Sequence, residues 1–392
     1  MPKKTIKTIH MIYPVTSSPT GQQIASGQII NYLSRQEEFT VRSFQLKGYD
    51  RTSIKMPICV IKFVWQTVKL WTYLLRLLFY KPTAVYLNLG QSWMTFLRIG
   101  IWYSLLLRIR KNHYGIISLH GHWFTNWTTQ SILSKTFVWI LRPAEVITVL
   151  GNSQEISLIK QGISPDNIRI VPNTSTIDPL ELDAISEKHN ENSIKILFLS
   201  NLIPSKGFIE YIDTINQLSK LNLQIKVEAI LCVKEMKCGY SEDFNCHSYL
   251  KQAIDEINLS SQVTLKHVPG AYGSLKQKLY RQSHIFILPS RIEGQPLVLL
   301  EAMASGCVPI ATAVGEIPSI INDNEGILID RPAPSLILKC ILKLINEQTE
   351  RKEMALNAAS SYRSNFSISN YHQNWQSIFN EYKTTLSRDF HI

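Results

Sequence analysis

The feature that most narrows the possible folds is a repeated alternation. Short β-rich apolar runs, separated by stretches long enough for helices, occur six times in the first half of the chain and six times again in the second. The first six runs are Ile6–Tyr13, Val41–Leu46, Ala84–Leu89, Gly115–Leu119, Val146–Leu150 and Ile168–Val171. The second set is Lys195–Leu199, Lys226–Leu231, Val263–Val268, His284–Leu288, Val308–Thr312 and Gly326–Ile329. Near-continuous apolar runs between helices predict parallel sheets covered on both faces, an α/β architecture. A chain of 392 residues exceeds what one core organises, which agrees with two domains. The polar stretch Glu187–Ser193 reads as the linker between them.

Charge is unevenly placed. No acidic residue occurs between Asp50 and Glu145, whereas twelve lysines and arginines do, so this block carries essentially the whole formal excess of +11. Such a block predicts an anionic partner for the first domain: phospholipid, a lipid diphosphate or nucleic acid. Within it Lys55, Lys62, Lys69 and Arg76 recur every seven residues, nearly two helical turns, among Trp65, Trp71, Tyr73, Leu74, Leu77, Leu78 and Phe79. Cations interrupt this segment too often for a bilayer span, so it is expected to lie in the membrane interface. A core helix with a solvated lysine face is the alternative. The run Trp93–Lys111 repeats the pattern, and seven of the eight tryptophans fall between Trp65 and Trp139. No recognisable RNA-binding motif accompanies the aromatic residues, so nucleic acid is not the expected partner.

The six cysteines contain no CxxC pair and Met1 opens no secretory leader, which predicts a reduced, cytoplasmic compartment. Cys238, Cys246 and His247 match no common zinc spacing and lack a fourth ligand, so no metal is expected.

The chemistry concentrates in one segment. After the run ending at Leu288, the residues Pro289 to Pro296 read as a tight loop, followed by a short helix Leu297–Ser305 and the stop signal Gly306. The free N–H groups at that helix start suit a phosphate or polar sugar atoms. Glu293 precedes the helix and Glu301 lies inside it among apolar residues, where a carboxylate needs partners or a ligand to justify its burial.

The Glu293-x7-Glu301 pair, set in "LPSRIEGQPLVLLEAMASGCVPIATAVGEIPSII", resembles the signature of retaining glycosyltransferases of family four, the glycosyl transferases group 1. The resemblance implies a GT-B fold, two Rossmann-like domains facing across a cleft. The acceptor-side domain is expected over residues 1–185, with 366–392 returning to it, and the nucleotide-sugar domain over 194–365. It implies that Glu293 holds hydroxyls of the transferred sugar and Glu301 the ribose. Backbone groups at Gly294, Gln295 and Pro296 would face sugar and diphosphate, with Leu297 and Val298 as the amide donors, since proline has no N–H.

Two further stretches carry the resemblance. "LSNLIPSKGF" looks like the family's first loop of the nucleotide domain, where Lys206 would neutralise the diphosphate. Asn201 stands at the usual arginine position, so one cation is missing and Arg291 is a candidate replacement. In the first domain His120 resembles the family's sugar-contacting histidine, with His122 a structural or acceptor-side residue. Gly21, in the loop Thr16–Gly21, would allow close backbone approach to ligand.

The implied activity is transfer of a sugar from a nucleotide-diphosphate donor to a glycan or lipid-linked acceptor, with retention and without metal or other cofactor. The implied setting is bacterial surface polysaccharide or lipopolysaccharide assembly, at the inner face of the cell membrane. A GT-B sugar-nucleotide epimerase and a non-catalytic glycan- or lipid-binding protein are the alternatives. No G-x-G-x-x-G follows a strand, which disfavours a dinucleotide oxidoreductase.

Overall fold

The computed structural model describes residues 7–15, 21–47, 56–233 and 245–389. The chain divides into two compact units, 1–173 with 369–392, and 174–368.

Among the described residues the first unit contains six strands, β1 (Lys7–Val15), β2 (Phe39–Lys47), β3 (Ala84–Asn88), β4 (Tyr114–Ser118), β5 (Val146–Val149) and β6 (Ile168–Ile170). They form one parallel sheet in the order β2-β1-β3-β4-β5-β6. Its helices are α1 (Gly21–Ser34), α2 (Met56–Leu77), α3 (Trp93–Thr95), α4 (Ile101–Ile109), α5 (Ile132–Leu141) and α6 (Asn152–Lys160). A π-turn, Phe96–Gly100, joins α3 to α4. Alternation along the strands sorts the core into two layers. Val85, Leu87, Ile117 and Ile147 pack with Leu70 and Leu74 of α2, Tyr103 of α4 and Phe137 of α5. Ile9, Met11, Tyr86 and Ile116 point the other way, towards Ile29 of α1 and Trp375.

The second unit opens with α7 (Leu182–Lys188) and has strands β7 (Ser193–Ser200), β8 (Lys226–Val233), β9 (Val263–Val268), β10 (Ile285–Leu288), β11 (Val308–Thr312) and β12 (Ile327–Ile329). They too are parallel, in the order β12-β11-β10-β7-β8-β9. The remaining helices are α8 (Phe208–Ser219), α9 (Cys246–Ile257), α10 (Gly273–Gln282), α11 (Leu297–Ala304), α12 (Pro334–Asn346) and α13 (Gln348–Ser361). The last helix, α14 (Ile368–Asp389), supplies Trp375, Phe379 and Tyr382 to the core of the first unit. All twelve expected strands are present, in two parallel sheets as expected.

The stretch Glu187–Ser193 is not a free linker. Lys188 and His189 are buried. The Lys188 ammonium donates to the carbonyls of Ser283 (2.8 Å) and Ser305 (2.7 Å), and an imidazole nitrogen of His189 lies 2.9 Å from the Gly306 carbonyl. Polar side chains here satisfy strand and helix ends, a role invisible in composition. Cys59, Cys232, Cys307 and Cys340 carry thiols, and Cys246 is disulfide-bonded. Cys238 lies outside the described residues.

Four histidines have strongly depressed pKa values, chiefly because desolvation of the ring disfavours the imidazolium. His10 and His120 fall to about 4, His284 to about 3 and His189 to about 2, the last two helped by the Lys188 charge. Unfolded histidine titrates near 6.5, so below that pH the unfolded chain binds protons that the folded chain refuses. The stability this neutrality contributes is present above pH 6.5 and declines as pH falls towards 4, by up to about 1.4 kcal/mol per pH unit for each such histidine. Urea denaturation midpoints measured from pH 7.5 to 4.5 should therefore fall steeply below pH 6.5; a flat profile would exclude this origin.

Candidate active site

In the second sheet the chain runs from β7 outwards to β8 and β9, then returns to place β10 on the other side of β7. Such a reversal leaves a crevice beyond the carboxyl ends of the two central strands, where ligands of open α/β sheets bind. The loops after β7 and β10 are the two that carry Lys206 and Glu293.

Glycines set how closely these loops approach. Gly207 has φ +76°, and a Cβ placed on it would lie 2.2 Å from the Pro289 carbonyl oxygen. Only the bare backbone fits there, and the contact is fastened by the Arg291 N–H donating to the Ser205 carbonyl at 2.7 Å. Gly315, with φ +62°, does the same from the loop after β11, its Cβ position being 2.1 Å from the Glu293 carbonyl oxygen. The neighbouring Glu316 N–H donates to the Gly294 carbonyl at 2.9 Å. Three loops are thereby locked around Glu293.

The Glu293 carboxylate is buried, ion-paired to Lys206 at 2.7 Å, and accepts from the Ser290 hydroxyl at 2.7 Å on the same Oε1. Glu301 is fully buried within α11; its Oε1 pairs with Lys276 of α10 at 2.5 Å and also accepts from the Thr176 hydroxyl. Its Oε2 has no hydrogen-bond partner. The Tyr280 hydroxyl stands near this carboxylate without an aligned bond, and its pKa is raised by burial first and by the Glu301 charge second. An uncompensated carboxylate oxygen in a dry helix face is a standing acceptor for a ligand hydroxyl.

Pro296 precedes α11 in an extended conformation and no side chain caps the helix. The first N–H groups of a helix have no intrahelical partner, which leaves those of Leu297 and Val298 for an anion, with the helix dipole reinforcing them. Gly294, Gln295 and Pro296 form the loop in front of them, and Gln295 is buried. Two buried acids, two lysines and an open helix start can hold vicinal hydroxyls on the carboxylates and a diphosphate between the amides and the ammonium groups.

The structure brings Lys206, Glu293, Gly294, Gln295, Pro296, Leu297, Val298 and Glu301 into one unit around this crevice. Asn201 is exposed at the end of β7. Arg291 does not replace the missing cation, because its guanidinium is committed to Glu210 and to the Pro204 carbonyl. Lys276 and Thr176, which sequence reading did not single out, meet Glu301 instead. Lys276 is one of three cations in the polar helix GSLKQKLYRQ, and nothing local distinguishes it from its solvated neighbours.

His120 and Gly21 belong to the first unit. Gly21 is exposed at the first position of α1, and residues 16–20 of its expected loop lie outside the described residues. His120 follows β4, with Nε2 3.0 Å from the Ser118 hydroxyl. Ser118 also accepts from Thr148 at 2.8 Å. His120 Nδ1 is buried and has no hydrogen-bond partner. Among the described residues no group of three or more His, Cys, Asp or Glu side chains could hold a metal ion.

The chain is 24% identical over 203 residues to a phosphatidylinositol N-acetylglucosaminyltransferase subunit of Arabidopsis thaliana, covering 52% of this chain and 42% of that protein. It is 23% identical over 274 residues to poly(ribitol-phosphate) alpha-N-acetylglucosaminyltransferase of Staphylococcus aureus (strain COL), covering 68% of this chain and 50% of that one. The chain therefore spans about half the length of these curated relatives or less. The crystal structure of Anabaena HepE in complex with UDP superposes with a TM-score of 0.67 at 14% identity, covering 96% of this chain and all of that one. Residues 181–361 match the family model described as glycosyl transferases group 1, and the two parallel sheets with their flanking helices are those of the GT-B fold.

Proposed function

We propose that this chain transfers a sugar from a nucleotide-diphosphate donor to a glycan or lipid-linked acceptor, with retention of anomeric configuration. The observation that carries the reading is the pair of buried carboxylates, Glu293 in the loop before the uncapped start of α11 and Glu301 within that helix, each ion-paired to a lysine. Glu301 takes the ribose hydroxyls through its unpartnered oxygen, and Glu293 takes hydroxyls of the sugar. The amides of Leu297 and Val298, with Lys206, neutralise the diphosphate as its bond to the anomeric carbon breaks. Lys276 neutralises Glu301 at the ribose end of the site. The acceptor hydroxyl attacks from the face the phosphate leaves, and that phosphate takes the proton. No metal enters this scheme.

Names of the relatives support a phosphate-bearing acceptor, as one acts on a phosphatidylinositol and another on a poly(ribitol-phosphate). In the first unit a cavity of about 250 Å³ lies at the reversal of strand order between β1 and β3, lined by Asn88 and Gln22, by Phe63, and by Arg98 and Lys47. Arg98 is held in place by Gln66 (2.6 Å) and Thr67 (3.0 Å) and lies over the Phe63 ring. We assign the anionic head of the acceptor to this cavity, and the enzyme to surface polysaccharide or lipopolysaccharide assembly at the inner face of the membrane.

A thermal-shift screen of nucleoside diphosphates and their sugars tests the donor half. A matching donor at 100 times its Kd should raise Tm by about 5–10 °C, UDP being the first to try because HepE was crystallised with it. Glu301→Ala should weaken that donor at least about tenfold, the scale of a lost charge-assisted hydrogen bond. If no nucleotide shifts the melting curve, or Glu301→Ala binds as the parent does, the assignment fails.

A further inference from the structure

The helix α2 is apolar on nearly every side, yet it is buried on one side only. Cys59, Leu70, Leu74 and Leu77 face the sheet, as do the polar Gln66 and Thr67. The opposite surface carries Ile61 at 67% exposure and Trp65 at 61%, and just past the helix Phe79 is 90% exposed. A helix apolar all round is normally enclosed by protein or lipid. Here most of its apolar length is exposed.

Length and composition alone would let Ile58–Leu77 cross a membrane, but its packing does not. Leu70, Leu74 and Leu77 are part of the core of the first unit, Trp71 donates its indole N–H to the Arg98 carbonyl at 2.9 Å, and the Tyr73 hydroxyl bonds His10 at 2.6 Å. Spanning would dismantle that core. The helix therefore offers its apolar side to a surface, lying along it.

The exposed side continues onto its neighbours. The helices α2, α4 and α5 cover the same sheet face, and Trp71 of α2 and Trp102 of α4 meet with ring centres 5.1 Å apart. Trp102, Ile109, Ile132 and Trp139 remain exposed on α4 and α5. Cations are interleaved with these rings, Lys69 over Trp65 at 5.0 Å and Arg108 over Trp139 at 4.6 Å. No acidic residue lies between Asp50 and Glu145 to balance them.

We infer that the outer face of the α2–α4–α5 layer is a membrane-docking surface that lies flat on an anionic lipid bilayer. Aliphatic and indole side chains enter the acyl boundary, while Lys62, Lys69, Arg76 and Arg108 reach anionic headgroups. A second copy of the chain fits this face poorly: a two-fold contact would set its cations against themselves with no carboxylate to pair them. A nucleic acid would leave Ile61 and Phe79 unmatched. The inference does not depend on the transferase reading.

Cosedimentation of the full chain with vesicles tests it, using phosphatidylcholine alone and phosphatidylcholine with about one-third phosphatidylglycerol, the composition range in which basic segments respond to surface charge. Binding should be at least about tenfold stronger to the anionic vesicles and weaken in high salt. Ile61→Ser with Trp65→Ser should lower it about tenfold or more through lost apolar insertion, with the circular dichroism spectrum unchanged. Lys62→Gln with Lys69→Gln should remove much of the salt dependence. The inference is overturned by equal binding of the serine variant and the parent, by absence of vesicle binding at low salt, or by a concentration-dependent dimer that forms through this face without lipid.

Discussion

Lys206→Ala should lower turnover at saturating donor by about 100- to 1000-fold, the usual effect of removing one preorganised group that stabilises developing negative charge. Lys206 is held in a short turn whose approach to the next loop depends on Gly207, so its ammonium is positioned before any ligand arrives. In the free protein it neutralises Glu293, which is 93% inaccessible by side chain. Truncating it leaves that carboxylate with the Ser290 hydroxyl alone. A buried charge stripped of its partner costs about 3–5 kcal/mol, so Tm must fall together with turnover. Glu293→Gln combined with Lys206→Met separates the two effects: it removes both charges, should restore most of the lost stability, and should remain as inactive as Lys206→Ala. Turnover of Lys206→Ala within about threefold of the parent, a difference under 1 kcal/mol in the barrier, would show that the diphosphate is stabilised elsewhere.

Legibility in the sequence followed the range of the interactions. The strands were readable because each is a local run of apolar residues and the sheets bury both of their faces, so every strand carries its own signal. The helix start at Leu297 was readable for the same reason, with Pro296 before it and Gly306 after it. The partners of the two acids were not equally visible. Lys206 sits beside a glycine in a turn, whereas Lys276 becomes meaningful only when α10 packs against α11 across 25 residues of chain. The polar stretch Glu187–Ser193 looked like a linker because its lysine and histidine satisfy carbonyls more than 90 residues away. On α2 the seven-residue cation spacing correctly placed Lys62, Lys69 and Arg76 on exposed positions, but Leu74 and Leu77, expected beside them, turn into the core. Lys55 lies outside the described residues.

Gly315→Ala should be among the most damaging small substitutions in the chain, although it adds a single methyl group. Two independent costs meet there. The residue has φ +62°, where a Cβ costs roughly 1–2 kcal/mol. The added carbon would also lie 2.1 Å from the Glu293 carbonyl oxygen and 2.8 Å from that of Gly294, and backbone cannot rotate away as a side chain can. Relief requires the Glu293–Pro296 loop to move by about 1 Å to restore van der Waals distance, which breaks the Glu316–Gly294 hydrogen bond and shifts the amides of α11. A displacement of that size in a positioning element is worth about 100-fold in rate. Gly207→Ala should behave alike, since its Cβ would meet the Pro289 carbonyl at 2.2 Å. Gly27→Ala is the control: nothing lies within 4 Å of its Cβ position inside α1, and replacing an unobstructed helical glycine by alanine should stabilise by about 0.5–1 kcal/mol. Turnover and melting temperature of the three variants, measured side by side, distinguish loop positioning from general loss of fold. If Gly315→Ala and Gly27→Ala were equally active, the locked approach of the three loops would have no part in catalysis.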